Sequence, residues 1–441
     1  MKLSDYKSCN YAVPYYMNQW QLSGQGFDNL SLIGIFTPKL KPNEILFRVD
    51  SNSLCASDYK IISLGNEHPR IKKFNIDLER IQAVLGHEMA ITVMEVGKDV
   101  IGRFKTGQRY AVQADLRETG EAVGYNIQGG LQQFGIFGSN AYNYLIPIPD
   151  NVGFSQASLT EPPACVYHAY DPRDVQRSDK ILWVMGGAGP MGKIHIDYLL
   201  RRKQKGELPS FNRLIITEME ESRLKQAEKE FLEKAKGVGI KLDLVNLKER
   251  SLDKFFNGSK VDYAVCCVPP NAAQAVLDYF KYIKEGGTVQ LFSGFSPTDS
   301  PRIDINGSGS VTLGEIHYNE MTVRYNNLIL TGTTGSSVEN MQSVMDDVAN
   351  GQIETNNYVA GIGGLKFARE GLRVFDPENH EGKQRFPGKI VIYPQFFDLP
   401  LSRVDELASQ EIDWGSLKEE IKAGRWSKTA EDILFEYLLS K

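Results

Sequence analysis

Cysteine is scarce. The chain has five in 441 residues, Cys9, Cys55, Cys165, Cys266 and Cys267, and no CxxC pair. An odd number at irregular spacing is not a disulfide framework, and without CxxC pairs a four-cysteine structural zinc site is excluded. Cys266 and Cys267 lie in the apolar run YAVCCVPP and read as buried strand residues. Long hydrophobic runs are missing as well. No segment nears the ~18 apolar residues that span a bilayer, and the opening MKLSDYKSCNYAVPYY has no signal-peptide core. No membrane partner and a cytoplasmic location are therefore expected. Positive charge is not in excess: 50 Lys and Arg face 55 Asp and Glu, for a net charge of −5. A dedicated nucleic-acid binder is usually basic, so no nucleic-acid partner is expected. Repeats and low-complexity tracts are absent. What remains is 41% hydrophobic and 24% charged, an ordinary globular composition. At about 150 residues per domain, the length implies two or three domains.

The hydrophobic pattern changes along the chain. Residues 31–60 and 83–115 hold β-rich runs such as EILFRVD, AITVMEV and RYAVQAD, broken by Pro38, Pro42, Gly97, Gly102 and Gly107. From about residue 180, strands alternate with helices. ILWVM, RLIITE, VDYAVCC, GGTVQLF and NLILTG are short apolar strands separated by helical stretches. That alternation predicts an α/β unit with a parallel sheet. Beyond residue 400, VDELASQEIDWGSLKEEIKAG and TAEDILFEYLLSK read as amphipathic helices packing on the body.

The first chemical motif is Gly187-Ala188-Gly189-Pro190-Met191-Gly192, directly after the strand ILWVM and at the mouth of a helix. The first glycine permits a tight turn, the second lets backbone approach a pyrophosphate, and the third lets helix and strand pack closely. The helix N-terminus offers N–H donors to phosphate. Glu218 ends the next strand after an inserted polar stretch, RRKQKGELPSFN. A carboxylate there accepts from the ribose hydroxyls and repels a 2′-phosphate, which favours NAD, with NADP the alternative.

The second is Cys55, His87, Glu88 and Glu161, from CASD, LGHE and LTEPPACVYHA. Thiolate, imidazole and carboxylate suit zinc, with one position left for water or substrate. The same residues fit a buried thiol, a core histidine and two surface acids equally well on type alone. His195, on the helix after the glycine turn, and His168 read as packing residues. Trp20, Phe134 and Tyr144 fit either a pocket lining or a core.

In combination, CASD, LGHEMAITVMEVGKDVIGRFKTGQRY, IPIPDNVGFSQASLTEPPACVYHA, the glycine turn, GGTVQLFSG, IGGLKFAREGLR and GKIVIYP resemble the zinc-dependent medium-chain dehydrogenase/reductase superfamily, over roughly residues 30–395. The TEPP variant is similar to its polyol and sugar branch. The resemblance implies Cys55 and His87 as zinc ligands, Glu161 as a third ligand, direct or through water, and Glu88 as a ligand that binds directly or exchanges with water. It implies Ser57 as the proton carrier between substrate hydroxyl and solvent, and Asp58 as the partner of His87. Two features depart from the family. The segment LRETGEAVGYNIQGGLQQFG lacks the cysteines of the structural-zinc lobe, so one catalytic zinc and no structural zinc is expected. The usual relay histidine is replaced by Lys60, beside Tyr59. The long interval between Cys55 and His87 suggests that HPRIKKFNIDLER forms a loop near the cleft.

The resemblance further implies a GroES-like β-rich catalytic domain over 1–160 and 345–398, a doubly wound Rossmann domain over 161–344 and a helical extension over 399–441. The expected activity is hydride transfer between NAD(P) and the secondary alcohol or ketone of a polyol, ketose or sugar phosphate. There is a loose similarity to sugar-phosphate reductases of the L-sorbose 1-phosphate kind. Arg70, Lys72 and Lys73 could meet a substrate phosphate, or could be a solvated surface run. The family often forms dimers or tetramers, so a homo-oligomer is expected. The competing readings are a zinc-free quinone or enone reductase on the same scaffold and a non-catalytic NAD-binding protein.

Overall fold

Runs of β-branched and aliphatic residues place the strands. In the computed structural model, residues 1–292, 294, 295, 297, 298, 300–305, 309–407, 420, 421 and 424–441 are described. They form two compact units, Met1–Glu161 with Ser337–Lys441, and Pro162–Ser336.

In the first unit, the strands run in the order Ser402–Arg403, Val359–Gly364, Lys389–Tyr393, Ile45–Ser53, Glu88–Val96, Arg109–Val112 and Leu145–Pro147. Phe134–Phe137 also pairs with Ile45–Ser53. The pairing is antiparallel except between Val359–Gly364 and Lys389–Tyr393, which run parallel. Ser53 is in register with Glu88 on one side and Val391 on the other. Three strands that are distant in sequence thus bring Cys55, Glu88 and Lys389 to one end of the sheet.

Ile45–Ser53 is buried along its whole length although it carries Arg48 and Asp50. A buried charge is tolerated only when paired. Arg48 Nε donates to Asp50 Oδ1 at 2.7 Å, Arg48 Nη1 to the Tyr6 carbonyl at 2.8 Å, and Thr92 Oγ1 to Asp50 Oδ2 at 2.5 Å. A separate apolar cluster holds the segment after Cys55 in place. Leu54, Ile61, Ile62, Ile71, Leu78, Val84 and Leu85 are all essentially inaccessible. Trp20 belongs to this cluster and donates from Nε1 to the Leu365 carbonyl at 2.7 Å; Phe134 and Tyr144 lie in neighbouring core clusters.

The last helix, Lys428–Ser440, is built into this unit. Glu431 accepts from the backbone N–H groups of Phe154 (2.6 Å) and Ser155 (2.7 Å) and from the Tyr393 hydroxyl (2.9 Å). The approach is so close that a Cβ on Gly153 would sit 2.7 Å from Glu431 Oε2. The segment after residue 400 is not purely helical. Ser402–Arg403 adds a short strand beside Val359–Gly364, followed by a one-turn helix, Val404–Leu407. Most of the helix expected over 404–424 falls on residues outside those described.

The second unit is a seven-stranded sheet in the order Lys241–Asn246, Arg213–Glu218, Ile181–Met185, Val261–Cys266, Ile283–Leu291, Leu328–Gly332 and Thr322–Tyr325. The first six strands are parallel, and Thr322–Tyr325 closes one edge antiparallel. The order reverses at Ile181–Met185, the point where a doubly wound sheet binds its ligand. Cys266 is fully buried in its strand. No helix among the described residues is long and apolar enough to cross a membrane.

Candidate metal centre and cofactor turn

The CASD segment folds as a capped helix start. Cys55 is the N-cap of helix Ala56–Leu64, and Asp58, in the first turn, reaches back so that Oδ2 accepts from the Cys55 N–H at 3.1 Å. The other oxygen of the same carboxylate accepts from the Gly86 N–H at 3.1 Å and lies 3.2 Å from His87 Nδ1. One fully buried side chain therefore ties CASD to LGHE. Gly86 is required at its position. Its φ is +96°, and a Cβ there would lie 2.6 Å from Asn52 Oδ1.

One ligand atom each from Cys55, His87 and Glu88 lies within 4.8 Å of the others. His87 Nδ1 faces Asp58, so Nε2 is the nitrogen left to ligate, and the carboxylate sets the tautomer. Burial works against a charge on His87, but Asp58 and Cys55 outweigh it and raise its pKa well above the ordinary value. The position therefore favours a cation. Glu88 Oε1 accepts from Lys389 Nζ, while Oε2 is buried with no hydrogen-bond partner. An orphaned carboxylate oxygen beside a thiol and an imidazole fits a zinc ion.

Lys389 was not foreseen. It is 8% exposed, and its Nζ also lies 3.4 Å from the Leu54 carbonyl. Burial disfavours its charge, yet Glu88, Cys55 and Glu161 hold its pKa above the usual lysine value. The available signal was a lysine opening an otherwise apolar strand, KIVIY, whose five positions are all buried. Glu161 is 9% exposed at the start of helix Glu161–Ala169. It acts electrostatically on Lys389 but stands outside the trio that gathers within 4.8 Å.

Ser57 Oγ lies 3.6 Å from Cys55 Sγ. Tyr59 faces Asp376, and burial followed by that carboxylate raises its pKa. His195 is fully buried, with Nδ1 2.9 Å from the Tyr170 hydroxyl, and burial pushes its pKa down to about 3. His168 Nδ1 is 2.9 Å from Asp171 Oδ2, and its Nε2 is 3.3 Å from Glu320 Oε1.

In the second unit, the glycine turn joins strand Ile181–Met185 to helix Pro190–Gln204, with Gly189 as N-cap and Pro190 as the first residue. A Cβ on Gly192 would meet Gly187 Cα at 2.5 Å, and one on Gly187 would meet Ile216 Cγ2 at 2.9 Å. Any larger side chain would push helix and strand apart. Pro190 has no N–H and fixes φ, and the Gly189 N–H is spent on the Gly186 carbonyl at 3.1 Å. The donors left at the helix mouth include those of Met191 and Gly192, a cradle that suits a pyrophosphate. Glu218, half-buried at the end of the adjacent strand, accepts through Oε1 from the Met219 N–H at 2.8 Å.

Residues 41–150 match the alcohol dehydrogenase GroES-like domain. The chain is 28% identical over 425 residues to mannitol-1-phosphate 5-dehydrogenase of Aliivibrio fischeri, covering 91% of this chain and 93% of that one. It is 25% identical over 429 residues to L-sorbose 1-phosphate reductase of Klebsiella pneumoniae, covering 93% and 96%. In fold it is similar to 2R,3R-butanediol dehydrogenase from Bacillus subtilis, with a TM-score of 0.62 at 18% identity over 86% of this chain and 99% of that one. The GroES-like match and the two relatives aligned over nearly their whole lengths, with a fold of the same kind, support one assignment: an oxidoreductase of the medium-chain dehydrogenase/reductase type.

Proposed function

We propose that the chain is a zinc-dependent dehydrogenase that moves hydride between NAD(P) and the secondary alcohol or ketone of a polyol, sugar or sugar phosphate. The observation that carries this reading is the gathering of Cys55, His87 and Glu88, with Asp58 fixing the imidazole and Glu88 Oε2 left unpartnered. A zinc ion held there acts as a Lewis acid on a substrate oxygen, and a nicotinamide cofactor accepts or returns the hydride.

The chain's own groups do the rest. Cys55 Sγ, His87 Nε2 and Glu88 Oε2 hold the cation, with Glu161 completing the set directly or through water. Asp58 accepts the Nδ1–H of His87, which leaves the Nε2 lone pair free for the cation. Lys389 balances Glu88 and Glu161, so that three acids and a thiolate need not share one site unaided. Ser57, at the mouth of the CASD helix, passes the substrate hydroxyl proton outward. Gly187, Gly189, Pro190, Met191 and Gly192 seat the pyrophosphate, and Glu218 takes the ribose hydroxyls, which favours NAD over NADP.

Purified protein should contain about one zinc per chain. It should oxidise polyols or their phosphates, or reduce the matching ketoses, as read by NADH or NADPH absorbance. Cys55→Ala should lose both metal and turnover while keeping its far-UV circular dichroism. Zinc-free protein with full activity on quinones or enones would instead establish the zinc-free reductase, and cofactor binding without turnover of any of these would establish a non-catalytic role.

A further inference from the structure

Beside the trio, the loop after helix Ala56–Leu64 and the segment 115–127 meet around one aromatic ring. Tyr125 lies 6.0 Å from the His87 ring and 5.5 Å from the His68 ring, centroid to centroid. The Arg70 guanidinium carbon is 4.9 Å from the Tyr125 centroid. From these placements we infer that the substrate carries a phosphate monoester, held by Arg70 and His68 one ring's width from His87, with the charge of Lys60 in support. The inference deepens the proposed function and rests on the trio being the metal centre.

The protonation states make this a set of donors. Burial, then Arg70, then Lys60 push the His68 pKa down to about 4, so the imidazole is neutral at physiological pH. His68 Nδ1 accepts from the Arg70 backbone N–H at 3.3 Å, so Nε2 carries the proton and donates.

The charge balance favours an anion. Asp115 pairs with Arg70 and holds the guanidinium in place. The Asp58 carboxylate is turned toward Cys55, Gly86 and His87. Arg70 and Lys60 both act electrostatically on His68, and Asp115 is paired with Arg70. A neutral polyol hydroxyl gives no return on holding two cations near a buried imidazole, whereas a phosphate supplies several acceptors for a planar, five-donor guanidinium and its neighbours. The structure also separates the basic run HPRIKK. Lys72 is exposed and paired with Glu67, and Lys73 is exposed, lying over Phe74. Of its three cationic side chains, Arg70 is the one that lies over Tyr125, beside His68 of the same run.

The test is isothermal titration of the zinc-loaded full chain with sorbitol, mannitol and their 1-phosphates, followed by turnover of the same four. On the wild type, at least one 1-phosphate should bind about 10- to 100-fold more tightly than its parent polyol, the worth of one or two charge-assisted hydrogen bonds. Arg70→Gln and Lys60→Met should each shrink that ratio by about tenfold; Lys60→Met leaves the Arg70–Asp115 pair intact. Equal affinity for ester and parent, or a ratio that survives both substitutions, overturns the inference. Zinc-dependent turnover with no preference for phosphate overturns the subsite and leaves the dehydrogenase reading standing. Arg70-dependent ester binding without NAD(P)-linked turnover does the reverse.

Discussion

Replacing Asp58 with asparagine removes a charge while keeping the side chain's shape. The carboxylate has two oxygens for three neighbours: the Cys55 N–H at 3.1 Å, the Gly86 N–H at 3.1 Å and His87 Nδ1 at 3.2 Å. Asparagine supplies one acceptor oxygen. If that oxygen stays with Gly86 and His87, the new NH2 group confronts the Cys55 N–H, and a donor at the N-cap loses its partner. A buried donor so stranded costs about 1–3 kcal/mol. At about 2–4 °C per kcal/mol for a domain of this size, the melting temperature should fall by roughly 2–12 °C. Loss of the carboxylate behind a ligating imidazole should also weaken zinc binding by about 10- to 100-fold. Calorimetry gives the first quantity, and competition with a chelating dye gives the second. Wild-type zinc affinity in Asp58→Asn would refute the idea that this carboxylate sets the His87 tautomer for metal binding, whatever the change in stability.

Three further outcomes are expected. Lys389→Met strips the cation from Glu88; breaking a buried pair costs about 3–5 kcal/mol, and added zinc should recover part of the loss, so urea curves displaced equally with and without zinc would count against the compensation. Glu218→Gln removes the repulsion of a 2′-phosphate and should move the NADP-to-NAD ratio of kcat/KM up by about tenfold, a ~1.4 kcal/mol effect; an unchanged ratio would remove Glu218 from the ribose site. His195 has a folded pKa near 3, below the unfolded value of about 6.5, so its contribution is full above about pH 6.5 and is lost as pH falls toward 3. Between pH 6.5 and 5 that amounts to about 2 kcal/mol, which His195→Phe should remove from the pH dependence of unfolding; parallel pH curves for the two proteins would contradict it.

Where a local pattern carries the information, the sequence alone is readable. AITVMEV lies within the strand Glu88–Val96, and the glycine turn follows its strand and opens its helix. The strands alternating with helices after residue 180 do form a parallel sheet. What escapes such reading is whatever depends on register between distant segments. Lys389 meets Glu88 because Ser53 pairs with both strands at once. The charges in ILFRVDSNS look wrong for a buried strand until Tyr6 and Thr92 are seen to complete the pair. Glu431 looks like one more surface acid of an amphipathic helix, yet it caps a turn at Phe154. Tyr125 has no motif at all; only the ring contacts give it a place between two histidines.

The strand carrying Lys389 and the helix carrying Glu431 have a consequence for biosynthesis. The Rossmann segment, Pro162–Ser336, is continuous and can fold as soon as it has been translated. The other unit must wait, because its central strand lacks one neighbour until residues 389–393 emerge, and its Glu431 cap arrives later still. Throughout that interval the nascent chain already displays Cys55, His87 and Glu88, while the lysine that offsets Glu88 has not yet been made. A metal ion supplied during synthesis would meet these three ligands before Lys389 stands beside Glu88.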